Sequence, residues 1–143
     1  MKLEQLMVDS KSAWFDYPGC PGFEVELTTL SRKEHIALRK ACLFTKMNRK
    51  THQFEEHLDD DKFVRKFANA TVKDWKGFKV QYAEMLLPVD LEGVDPEKEI
   101  EYSADQAEVL VQNSTEFDNW LNDVVFDLDN FRTSRTGEAV EED

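Results

Sequence analysis

The residues best suited to chemistry lie close together, in His52-Gln53-Phe54-Glu55-Glu56-His57 and the following Asp59, Asp60 and Asp61. Imidazoles and carboxylates are zinc ligands, so this stretch must be weighed as a metal site. Its spacing argues against one. Two histidines five apart do not share a helix face, whereas the helical metalloprotease pattern sets them four apart with glutamate after the first. The stretch reads instead as a solvated loop, Asn48 to Asp60, leading into a helix whose N-terminus is favoured by the Asp59–Asp61 charges. Asp90 to Glu101 invites comparison with a calcium loop, which needs glycine sixth and glutamate twelfth. Gly93 is fourth when Asp90 is first, and the segment reads as an acidic surface loop.

Nucleophiles are no better placed. Cys20 sits in the Pro18-Gly19-Cys20-Pro21-Gly22 turn, and Cys42 falls beside Leu43 and Phe44, where a packed thiol is the default. His35 lies near a helix start and reads as a surface or boundary residue. With five glycines in all, neither phosphate-binding fingerprint occurs. The expectation is no catalytic residue, no metal site and no cofactor.

Composition sets the frame for these residues. A chain of 143 residues suits one domain, and 41% hydrophobic with 11% aromatic content supplies a core. No apolar run approaches the roughly 20 residues of a membrane span, and the first residues do not read as a signal peptide. Two cysteines fit a reducing cytoplasm. The net charge of −12 is segregated: residues 1–82 carry 15 basic and 12 acidic residues, and residues 83–143 carry 3 and 18. The acidic half would repel nucleic acid and anionic membranes, so neither is an expected partner. Much of the charge serves solubility, with a basic or hydrophobic protein partner as the sharper reading. The basic run Lys46-Met47-Asn48-Arg49-Lys50 reads as a solvated helix end, with an acidic partner or self-association as its alternative.

The elements that must position these groups follow from periodicity. Trp14 to Tyr17 and Phe23 to Thr28, joined through prolines and glycines, predict a small N-terminal β-hairpin. Ser31 with Glu34 forms a capping box for a helix carrying Ile36, Ala37, Ala41, Leu43, Phe44 and Met47 to about Asn48. A second helix carries Phe63, Val64, Phe67, Ala68, Thr71 and Trp75, closed by Gly77. Phe78, Val80 and Tyr82 alternate as a short strand or extended link, and Pro88 discourages helix at Leu87. Ser103 with Gln106, and Asn113 with Glu116, cap two more helices. The last has the best apolar stripe, Phe117, Trp120, Leu121, Val124, Leu128 and Phe131. The expected fold is α+β, mainly α: the hairpin followed by about four helices, one domain over 1–132, with an acidic flexible tail over 133–143.

Several stretches in order resemble the tail assembly chaperones of long-tailed, siphovirus-type bacteriophages: Phe23 to Leu27, Leu30 to Arg32, Asn48 to Thr51, Asp59 to Phe63, Asp74 to Gly77, Leu86 to Pro88 and Asn113 to Asp118. The resemblance covers roughly residues 14–132. It implies a non-enzymatic protein of the host cell cytoplasm that binds the long helical tape measure protein and helps recruit tail tube protein. Phe117, Trp120, Leu121, Val124, Leu128 and Phe131 are then the candidate partner-binding stripe, although such spacing is as a rule that of a core. A homo-oligomer, ring or dimer, is compatible with this reading. A lysine-lysine or glycine-lysine pair, frequent where the family makes a frameshifted longer form, is missing from Arg132 to Asp143. Three alternatives stand beside the chaperone, in falling order: a structural tail or neck component, an acidic inhibitor that mimics nucleic acid, and a metal-assisted enzyme using His52, His57 and neighbouring carboxylates.

Overall fold

A computed structural model describes residues 1–7 and 11–132; the expected acidic tail at 133–143 lies outside them. After a 3₁₀ turn at Leu3–Gln5 come strands β1 (Ser12–Asp16) and β2 (Glu24–Thr28), helix α1 (Arg32–Ala41), strands β3 (Leu43–Met47) and β4 (Phe54–Leu58) and helix α2 (Asp60–Thr71). Strand β5 (Val72–Lys76) and helices α3 (Val80–Leu86), α4 (Ala104–Asn113) and α5 (Thr115–Val125) follow. The expectation of a mainly helical chain with one hairpin is overturned. Among the described residues five strands form two antiparallel sheets, β1-β2-β5 and β3-β4, and the balance of 45% helix to 21% strand makes the fold mixed.

The three-stranded sheet organises the body. Its strands alternate, so that Val25 and Leu27 are fully buried while Glu24 and Glu26 are only partly covered. One face therefore packs and the other meets solvent. Onto the packed face come Phe67 and Ala68 of α2, Leu110 and Val111 of α4, and Phe117, Leu121 and Val125 of α5. Phe23 stacks on Phe78 at 4.6 Å, meets Trp75 edge-on at 6.5 Å and lies 5.5 Å from Tyr17. Burial pushes the Tyr17 phenol up to about 12, with Glu116 adding to the shift. Buried polar atoms are tied to backbone: Thr29 Oγ1 donates to the Val125 carbonyl at 3.1 Å and Trp75 Nε1 to that of Ile100 at 2.9 Å. Among the described residues no buried side-chain nitrogen or oxygen lacks a partner.

Five segments depart from expectation. The Ser31 capping box forms as drawn, but α1 ends at Ala41 and the apolar residues beyond it enter β3. Residues 48–60 are not all loop, because Phe54–Leu58 pairs with Leu43–Met47. Helix α2 stops at Thr71, and Trp75 belongs to a strand pairing with Val25 of β2. The alternation of Phe78, Val80 and Tyr82 gives no strand; Val80 opens α3, which ends before Leu87 as Pro88 requires. The cap of α5 is Ser114, whose hydroxyl accepts from the Phe117 amide at 3.1 Å, in place of Asn113.

Gly77 adopts the left-handed backbone expected of it, at φ +72, but as the exit from β5 rather than as a helix end. A Cβ there would collide with the Gly22 carbonyl, whereas a Cβ on Gly93, also left-handed at φ +75, meets nothing within 4 Å. Gly77→Ala is expected to lower unfolding free energy by about 3–5 kcal/mol, and Gly93→Ala by only about 1–2 kcal/mol. Paired denaturant titrations check the difference.

Candidate partner-binding surface

The apolar stripe near the C-terminal end of the described chain is largely core. Phe117 and Leu121 are fully buried and Phe131 nearly so, Trp120 and Val124 are half-buried, and only Leu128 is exposed. Tyr17 explains much of this, with its ring stacked on Phe117 at 5.7 Å and edge-on to Trp120 at 4.8 Å; Phe15 meets Phe131 at 5.4 Å. The stripe is also not one helix. Helix α5 ends at Val125, and the Asp127 carboxylate accepts from the Asp129 amide at 3.0 Å to start a new turn at Leu128.

Exposed apolar surface lies elsewhere. Between Arg32 and Leu58 the only buried residue is Cys42. Helix α1 has no fully buried residue, although its Leu38 packs against the core, and the hairpin β3-β4 leaves Phe44, Met47 and Phe54 at 47%, 49% and 74% exposure. Residues 32–50 carry seven basic side chains and one acidic, Glu34; residues 104–132 carry seven acidic and one basic, Arg132. The lobe is thus basic and apolar beside an acidic body.

The pairing Leu43↔Leu58, Thr45↔Glu56 and Met47↔Phe54 puts these six side chains on one face of the hairpin, with apolar pairs at base and tip. The other face carries Phe44 stacked on His57 at 5.7 Å, and Lys46 opposite Glu55. The turn is built by Asn48. Its side-chain oxygen accepts from the Lys50 amide at 2.8 Å and the Thr51 amide at 3.3 Å, and its Nδ2 donates to Glu55 at 2.7 Å. His52 sits in the left-handed region at φ 57.

The polar candidates are thereby separated. His52 is in the turn, His57 is on the Phe44 face with Glu55 at 3.4 Å, and Asp59 caps α2 by accepting from the Lys62 amide at 3.1 Å. Among the described residues no group of three His, Cys, Asp or Glu side chains is placed to hold a metal ion. Asp90 and Asp95 accept from the amides of Glu92 and Glu97 within their own turns. Burial pushes the Cys20 thiol up, which keeps it protonated, and its sulfur lies 4.0 Å from that of Met85. No described helix is long and apolar enough to cross a membrane.

Sequence reasoning missed the hairpin because Leu43, Phe44 and Met47 continue the 3.6-residue spacing of α1. The signal that finds it is alternation on both sides of a turn, Leu43-Thr45-Met47 and Phe54-Glu56-Leu58, around Asn48. Asn48→Ala is expected to cost the hairpin about 1 kcal/mol while leaving the body intact. Amide NMR shifts confined to residues 43–58, with an unchanged global unfolding midpoint, check this.

Searches of family models, curated proteins and solved structures return no match to this chain.

Proposed function

We propose that this protein is a tail assembly chaperone of a long-tailed bacteriophage, a non-enzymatic binding protein that holds the helical tape measure protein in the host cytoplasm. The observation that carries the reading is the hairpin face formed by Leu43, Met47, Phe54 and Leu58, of which the protein's own core leaves Leu43, Met47 and Phe54 exposed. A long helical client presents apolar stripes that aggregate when unpaired. Apolar pairs at the base and tip of this face give such a helix two points to lie on, in the manner of helix-in-groove recognition. The basic side chains of Lys40, Arg49 and Lys50 nearby would steer acidic flanks of the client. The assignment to phage tails rests on the sequence resemblance; the client-holding role rests on this face.

The acidic-inhibitor reading draws on the seven carboxylates of residues 104–132 and requires binding that weakens steeply with salt. Co-expression with the longest helical protein encoded beside the gene, followed by size-exclusion chromatography at low and high salt, separates the two. The expected result is a client that is insoluble alone and a complex that survives high salt. Phe54→Asp is expected to weaken it about thirty-fold or more, as an interface anchor does, whereas Leu128→Asp leaves it intact. A client soluble alone, or a complex indifferent to Phe54→Asp, contradicts the proposal.

A further inference from the structure

The backbone of the hairpin carries a second unpartnered feature. The Asn48 amide donates to the Gln53 carbonyl, and the Asp59 amide to the Cys42 carbonyl, each at 2.8 Å. These fix the alternation of the ladder: pairs led by Cys42, Phe44, Lys46 and Asn48 are hydrogen-bonded, and those led by Leu43, Thr45 and Met47 are not. Leu43, Thr45 and Met47 therefore turn their amides and carbonyls outward on one edge, and Phe54, Glu56 and Leu58 on the other. No other described strand pairs with either edge. A two-stranded hairpin exposed on both faces is marginal by itself, and two open edges are templates for added strands.

Charge selects the occupant. The β3 side is basic, with Lys40 at its base, Lys46 within it and Arg49 and Lys50 at the turn; the β4 side is acidic, with Glu55, Glu56 and then Asp59 to Asp61. Pairing β3 with β3 of another copy would set Lys46 and the turn against Lys40 and Lys46. Pairing β4 with β4 would oppose Glu55 and Glu56 to the same residues. Both place like charges side by side, which destabilises strand pairing. Pairing β3 of one copy with β4 of the next sets Lys46 beside glutamate in its own hairpin and in its neighbour's.

We propose that a second copy of this chain adds to the hairpin edge to edge, β3 against the neighbour's antiparallel β4. The interface is heterologous, so each copy keeps one free β3 and one free β4 edge and the contact repeats into a ring or an open ladder. The apolar face of the hairpin stays uncovered in this arrangement. The inference does not depend on which client that face takes.

The test uses sedimentation velocity of the full chain over a concentration series, with variants that silence one edge each. Thr45→Pro and Glu56→Pro remove outward amides and leave the ladder bonds of the hairpin itself in place. The wild type is expected to form species larger than a dimer as concentration rises. Each proline variant alone stays monomeric, and their equimolar mixture forms a one-to-one dimer, because one complementary pair of edges survives. Lys46→Glu, which leaves the backbone unaltered, is expected to weaken the wild-type association at least tenfold, and keeps the test decisive should a proline variant fail to fold. A wild type monomeric throughout overturns the proposal. So does association lost in only one proline variant, which would mark a symmetric β3–β3 or β4–β4 contact, and so does association indifferent to Lys46→Glu.

Discussion

Phe23 is the point on which the body of this protein closes. Its fully buried ring touches Tyr17, Trp75, Phe78 and Tyr82, so one side chain joins the first hairpin, β5 and α3. Tyr17 carries the cluster on to α5 through Phe117 and Trp120. Removing a buried phenylalanine typically costs about 3–5 kcal/mol, a large share of the roughly 5–15 kcal/mol that holds a domain folded. The close approach of Gly77 to the Gly22 carbonyl belongs to the same knot, since it lets the end of β5 pass against the turn that delivers Phe23.

That knot consumes the apolar residues of the body and leaves the hairpin of β3 and β4 outside, while α1 touches it through Leu38. Only Cys42 of the lobe is buried, at the junction where its carbonyl accepts from the Asp59 amide at 2.8 Å. The lobe is held at its base and by Leu38 and His35 of α1, and its hairpin is bare beyond them. Its apolar face and its backbone edges are separate resources, one made of side chains and one of amides and carbonyls, so a helical client and a neighbouring copy need not compete. The segregation of charge observed in the sequence reappears in three dimensions as a basic, apolar projection on an acidic support.

Sequence reading reached the parts of this fold whose signals are local. The Ser31 and Ser103 caps, the stop before Pro88 and the left-handed Gly77 follow from side-chain chemistry within three or four residues. It failed where a periodicity had two explanations. Leu43, Phe44 and Met47 fit the stripe of α1, and Phe54 to Leu58 is too short and polar to announce a strand without its partner. Trp75 extends the apolar spacing of α2, but pairing with Val25, some fifty residues away, decides its conformation. The stripe from Phe117 to Phe131 was legible as apolar; which side of it faces Tyr17 and Phe15 is a tertiary fact.

The hairpin stands outside the cooperative core and presents bare surface. Hydrogen exchange of the dilute protein, resolved by residue, tests it most directly. Val25 and Leu27 of β2 are expected to be strongly protected, and β3 and β4 to exchange orders of magnitude faster throughout. The outward amides of Leu43, Thr45 and Met47, and of Phe54, Glu56 and Leu58, should be the fastest of the ladder. Hairpin amides as protected as those of β2 in the dilute protein would contradict it, because the lobe would then be part of the core and have no surface to offer.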